Sequence, residues 1–428
     1  MIAALDRHGT RAAMVALVLL PLMLIVARSA AEGVIAAIAA GFLLRCLLWR
    51  DFSAFRQPWV IAAMGFWAWL VLVTLLAGAE AERVLTALAW GRIPLFILAL
   101  ATWLLVAERA RRWLMAGLGA ALAWVVVEVW LQLLAGRGLR GFRRWPAGEL
   151  PGPFTRPRAG PFLVLGMWPP LLALAGPWLA RPERLRQAAA WLLLALALAT
   201  LVFIGQRIPV VFGVFGLLIA AALLPALRLP ALAALAAGAL ALALSSLVAP
   251  DAFHRLVVLF SQQLGNFPQS HYGQILARAL AMAAQHPWLG LGESGFAAHC
   301  RDAAYHLGWV AGSDGGGAAI CVTHAHNHYL QALTDAGWPG LALFAAMVAL
   351  LLLRLARGLL PGRRPLGVAL FIGALLPLWP LTSSYQFSAL PNLGLWLLMA
   401  GWGLALASDT GTGTGTTPSA RPGELRPA

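Results

Sequence analysis

Thr323-His324-Ala325-His326-Asn327-His328-Tyr329-Leu330-Gln331-Ala332-Leu333-Thr334-Asp335-Ala336-Gly337-Trp338-Pro339-Gly340 is the stretch on which the reading of this chain turns. Three histidines and an amide precede a short helical pattern. That pattern ends at Gly337, with Pro339 beyond it, as helix ends commonly do. An apolar run over 341–353 follows at once, so polar chemistry is placed at the mouth of a membrane helix.

The rest of the chain agrees with a bilayer setting. Of its 428 residues 61% are hydrophobic and only 11% charged, too few charges to cover a soluble protein of this length. Apolar runs recur near 13–27, 33–49, 58–78, 85–106, 114–135, 160–180, 187–204, 209–226, 230–248, 338–356, 366–381 and 391–408. Each can cross ~30 Å of hydrocarbon at ~1.5 Å per residue, the shorter ones with local thinning. The expected fold is an all-α polytopic membrane protein of about twelve spans, with one large loop between the ninth and tenth that contains short helices. The expected organisation is a membrane part over 1–248, a loop domain over 249–337, membrane helices over 338–408 and a disordered Gly/Thr/Pro-rich tail over 409–428.

All 31 positive side chains are arginine, and the net charge is +15. In a soluble chain that balance would suggest nucleic acid. Here the arginines sit mostly in short connections, and they orient the spans instead. Arg45, Arg50, Arg56, Arg109, Arg111, Arg112, Arg181, Arg184 and Arg186 fall on one side with both tails, which sets both termini in the cytoplasm. The loops 136–159 and 249–336 then lie outside. Six arginines crowd the first of these against the positive-inside trend, which predicts an anionic partner there.

Eight of the nine histidines lie in the second outer loop. His324, His326 and His328 would share a face in a strand and could hold a metal. Continued into a helix, however, His324 and His328 share a face and His326 points away, so we expect no metal site. The alternative is acid–base chemistry, for which imidazole is suited near neutral pH. Arg207, in Gly205-Gln206-Arg207-Ile208-Pro209, occupies a tight outer turn without an acidic neighbour. Arg158 stands where the basic loop enters a helix, and Arg92 lies within an expected span. Guanidinium groups grip phosphate oxygens through paired hydrogen bonds, so these three are candidates to cradle a lipid-linked diphosphate. For Arg92 the competing reading is snorkelling to the interface. Cys300 and Cys321 form a disulfide or remain two thiols; Cys46 has no partner. Residues 272–285 read as a helix suited to lie on the membrane surface through Ile275, Leu276, Ala279, Leu280 and Ala283. The Pro/Gly turn after it carries a buried-looking Trp288.

Two motifs carry a resemblance. Gln285-His286-Pro287-Trp288-Leu289-Gly290-Leu291-Gly292 with Ser294-Gly295-Phe296, then His326-Asn327-His328-Tyr329-Leu330-Gln331 with Gly337 and Gly340, resemble the paired patterns of the O-antigen ligase and polymerase superfamily. The Gly205-Gln206-Arg207 turn is similar to that family's arginine turn. The resemblance implies a metal-independent bacterial inner-membrane glycosyltransferase of the GT-C type, with no cofactor and a periplasmic active site. Its partners would be an undecaprenyl-diphosphate-linked glycan donor, a lipid A–core or other hydroxyl acceptor and the lipid bilayer, not nucleic acid. It implies His326 as the base, with His324 the alternative, Asn327 in support, and Arg207 and then Arg158 on the diphosphate. Polymerase and protein O-oligosaccharyltransferase activities would use similar residues. A transporter of lipid-linked glycan would instead be expected to keep its charges near the midplane of two related halves, and no such repeat is visible.

Overall fold

The computed structural model describes residues 2–305, 321–359, 362–380 and 389–411. The Gly-rich stretch 311–317 and the tail beyond 411 lie outside the described residues. Where described, the chain is helical, joined by turns, with one isolated bridge between Arg137 and Arg143.

Among the described residues, eight helices are long and apolar enough to cross a bilayer: Asp6–Val26, Arg28–Trp49, Pro58–Leu76, Ala81–Leu104, Glu108–Ala135, Arg184–Ile204, Pro225–Val248 and His328–Arg357. A further pair, Ala159–Gly166 and Trp168–Leu179, is bent by 48°. Three shorter apolar helices, Arg207–Leu223, Pro365–Leu378 and Asn392–Ser408, occupy the remaining positions where spans are expected. The polytopic all-helical expectation therefore holds, while the figure of about twelve crossings is met only for these eight by length and composition.

The breaks have sequence causes. Pro169 and Pro170 follow Trp168 and supply no N–H to the preceding turn, so the expected single span over 160–180 bends at Met167. Pro94 does the same to the Ala81–Leu104 span, which turns at Trp90 and Gly91 before Arg92 restarts it. The long helices present large apolar side chains outward, Leu192 and Leu232 among them, as lipid-facing surfaces do. Inside, one continuous core links the helices, with Phe66 edge-on to both Trp90 and Phe344.

At one end of the bundle four connections are tied together. Leu150 N–H donates to Ile204 O (3.0 Å), and Arg255 pairs with Glu149 (2.7 Å). Glu293 N–H donates to Thr74 Oγ1 (2.9 Å). The Arg83 guanidinium donates to the carbonyls of Leu291 and Glu293, both at 2.6 Å. Basic loop, arginine turn and large loop thus meet on one end.

The large loop has its own small core. Ile275, Ala279 and Met282 pack with Leu291, Phe296, Cys300, Tyr305 and Ala325. This corrects the expected surface role of helix His271–Gln285: its apolar face is spent on the loop's interior, and of the five residues read as membrane-facing only Leu280 is exposed. Trp288 also departs from expectation. It is 69% exposed and stands beside Trp338, because Trp338 N–H donates to Pro287 O (2.8 Å) and aligns the two backbones. Aromatic side chains so placed suit the membrane–water boundary.

Gly337 is the hinge between loop and span. Its backbone (φ 65°, ψ −171°) interrupts the helix that begins at His328, in a region open essentially to glycine alone. A Cβ there would lie 2.4 Å from Trp288 O. Gly337→Ala is expected to destabilise the chain by about 1–3 kcal/mol from backbone strain alone, and more with the clash. Thermal unfolding of the purified protein in detergent would show this as a lowered midpoint.

Candidate functional site

The helix that carries the histidine motif starts at His328, not before it. Asn327 caps it: the side-chain oxygen accepts from Tyr329 N–H (2.9 Å) and Leu330 N–H (3.0 Å), and its amide nitrogen donates to Pro380 O (2.6 Å). His324 and His326 therefore lie ahead of the helix. The helical-face argument that separated them does not apply. His328, in the first turn, is buried.

His326 adopts a left-handed backbone, φ 53°, unusual for a residue with a Cβ. Its N–H donates to His324 Nδ1 (3.1 Å), and the two imidazoles stand 4.2 Å apart, centre to centre. That bond occupies one nitrogen of His324. Burial, then the neighbouring His326 and His328 rings, push the His324 imidazole down to about 3. His324 is thus neutral at pH 7 and a weak proton acceptor. Tyr272 meets the His326 ring edge-on at 5.5 Å. Among the described residues no three His, Cys, Asp or Glu side chains gather in a metal-holding geometry.

His326 opens onto a cavity of about 410 Å3 whose other wall carries Arg207. Phe260, Phe267, Tyr272, Leu276 and Leu330 make most of its lining apolar or aromatic. Arg207 is fixed from several sides. Gly205 (φ 78°) ends the preceding helix in the left-handed conformation and turns the chain. The guanidinium donates to Arg255 O (2.9 Å) and to the Gln263 side-chain oxygen, and lies 5.7 Å from the Phe260 ring centre.

Arg158 is brought near through Gln206. The Gln206 side chain accepts from Gly160 N–H (3.0 Å) and donates to Pro157 O (2.8 Å), so the entry to the Ala159–Gly166 helix is clipped to the arginine turn. Arg158 itself does not line the cavity. Arg92 lies elsewhere: it pairs with Glu32 (2.9 Å) in a separate cavity of about 480 Å3 that includes Glu82 and Trp90. Cys300 and Cys321 are joined, their Cα atoms 5.5 Å apart, and tie the start of the histidine motif to the helix Gly295–His299.

Sequence reasoning missed several groups that shape this site. Gln263, Phe260 and Tyr272 all touch Arg207 or His326, and Arg255 supports Arg207 through its carbonyl while pairing with Glu149. Burial pushes the Glu149 carboxyl up against the opposing pull of Arg255. Only Tyr272 left a sequence signal, as one of four tyrosines in the chain.

The two motifs behind the resemblance prove to be one structure. Leu291 N–H donates to Thr334 O and Gly292 N–H to Asp335 O, both at 2.9 Å, and Gly295 N–H donates to the Asp335 carboxylate at 2.9 Å. The glycine turn clasps the end of the short helix that follows the histidines.

The family model described as O-Antigen ligase matches residues 192–345. That stretch resembles the O-antigen ligases. It covers somewhat over a third of the chain and includes Arg207, Tyr272, the glycine turn and the whole histidine motif. The O-antigen ligase match agrees with the resemblance carried by the two motifs and points to a glycosyltransferase type of membrane enzyme. No curated protein matches the chain.

Proposed function

We propose that the chain transfers a glycan from undecaprenyl diphosphate to a hydroxyl acceptor, a sugar of lipid A–core, at the periplasmic face of the bacterial inner membrane. The observation that carries this reading is the shared cavity: His326 and Arg207 face one space of about 410 Å3 within a stretch that matches the O-antigen ligase model.

In the proposed reaction His326 takes the acceptor hydroxyl's proton as its oxygen bonds to the anomeric carbon. The bond from that carbon to the diphosphate breaks, and undecaprenyl diphosphate leaves with the electron pair. Direct attack inverts the anomeric centre. Arg207, with Arg158 from the adjoining segment, would stabilise charge gathering on the leaving diphosphate, an interaction strengthened by apolar walls that keep water away. His324 is the weaker candidate, since its imidazole holds a proton poorly. Arg92, in its separate cavity, is not assigned to the diphosphate.

A deletion strain tests the acceptor. Loss of long-chain lipopolysaccharide with accumulation of lipid-linked polymer is the expected banding. Single-repeat products would mean a polymerase, and unchanged lipopolysaccharide with an unglycosylated protein would mean a protein O-oligosaccharyltransferase.

A further inference from the structure

We propose that Gln331, held by Asp335, is a positioning residue that sets His326 in its left-handed conformation. The proposal rests on the reading of His326 as the base. The Gln331 side chain makes two bonds of opposite sense. Its Nε2 donates to Asp335 Oδ2 (2.8 Å), and its Oε1 accepts from the N–H of Ala325 (2.8 Å), the residue immediately before His326. Because the Ala325 N–H can only donate, the amide cannot flip without setting donor against donor there.

Asp335 is itself fixed. It is buried, and Oδ1 accepts from Gly295 N–H at 2.9 Å. Gly295 belongs to the turn whose carbonyls at Leu291 and Glu293 are gripped by Arg83. A continuous path of hydrogen bonds therefore runs from the Ala81–Ala89 helix, through the glycine turn, Asp335 and Gln331, to the backbone beside His326. On the other side of His326, the Asn327 cap and the bond to His324 complete the clamp. A left-handed residue with a Cβ costs about 1–3 kcal/mol and persists only where its surroundings over-determine it. Here they do.

Among the described residues, Asp335 meets a second carboxyl. Glu293, on the glycine turn, is buried beside it, and burial pushes the Glu293 carboxyl up. Burial, then the Glu293 carboxylate, push the Asp335 carboxyl well up too, against the pull of the Gln331 amide and the Gly295 and Phe296 N–H groups. Arg83 approaches from the Ala81–Ala89 helix, and Arg278 is fully buried on the His271–Gln285 helix, which packs against the same helix as Asp335. His328 opens the helix that carries Asp335.

The test reverses the polarity of the bond. Gln331→Glu puts two carboxyls in contact, and once both are ionised neither offers a donor and their charges oppose each other. When protonated, the introduced carboxyl supplies one donor and one acceptor, as the amide does. Transfer by the full-length protein, in proteoliposomes holding undecaprenyl-diphosphate-linked glycan and lipid A–core, is expected to fall about 100-fold as rising pH ionises both carboxyls, the size of effect a misplacement of roughly 1 Å produces. Activity relative to wild type should recover as the pH is lowered. The double variant Gln331→Glu/Asp335→Asn restores a donor on the 335 side and an acceptor on the 331 side. It should regain most of the lost rate with the pH profile of the wild type, and it remains informative should the single variant fail to fold.

Two results would overturn the proposal: a wild-type rate and pH profile in Gln331→Glu, or a folded double variant with no recovery over the single one. His326→Ala, run alongside, separates the two ideas. If it is inactive while the Gln331 series behaves as wild type, the base stands and the relay falls; if it is active, the base reading fails first.

Discussion

His326→Ala is expected to abolish glycan transfer in a reconstituted membrane assay while the protein still reaches the membrane at normal levels. As the proposed general base, the imidazole would contribute about 10²–10⁴-fold. Its ring lines the cavity and packs edge-on against Tyr272 rather than sitting within the loop core, so removing it leaves the surrounding fold intact. His324→Ala is the control that sharpens the result. His324 holds the His326 N–H, so its loss should slow transfer through a looser His326 without removing the proton acceptor. Full activity in His326→Ala would sink the assignment. Loss in His324→Ala alone would move the base to the neighbouring ring, against the burial that pushes that imidazole down to about 3.

Arg207→Ala should cost about 10²–10³-fold in transfer, the effect of removing one charged donor from a developing anion in a dry site. Arg207→Lys should recover only part of it. A lysine keeps the charge but lacks the planar fork that now spans the Arg255 carbonyl, the Gln263 amide and the Phe260 ring. Binding of the lipid-linked donor, measured apart from turnover, should weaken in both. Arg92→Ala serves as the comparison. It breaks an ion pair with Glu32 in another cavity, and its effect should appear in stability before donor binding. A donor-binding loss in Arg92→Ala as large as in Arg207→Ala would remove the distinction between the two cavities.

Much of this arrangement was legible in the residues. Span positions followed from long apolar runs, because a helix in lipid has no alternative partner for its backbone. The histidine stretch, the Gly-Gln-Arg turn and the glycine turn were visible as polar or glycine-rich interruptions of those runs. What the sequence hid were the relations between them. Tyr272 and Gln263 look ordinary until residues far along the chain bring Arg207 and His326 to their sides. Trp288 reads as buried because it is large and apolar, yet the backbone bond from Trp338 turns its environment outward. The face assignment of His324 and His328 failed for a local reason. A sequence pattern marks where a helix is possible, while the Asn327 side chain decides where it starts.

The straps from Thr74 and Arg83 to the glycine turn carry a lesson for anyone exchanging parts between relatives. The 249–336 loop looks like a cassette, bounded by two spans and holding its own small core. Yet its glycine turn is stitched to the ends of helices more than two hundred positions earlier, and the Arg255 carbonyl and Glu149 bind it to two further connections. A chimera that swaps the loop alone would leave those stitches facing strangers. Grafts that carry the 74–83, 149–160 and 205–207 connections with the loop are the ones that should keep a working site, and acceptor preference is best moved in that larger unit.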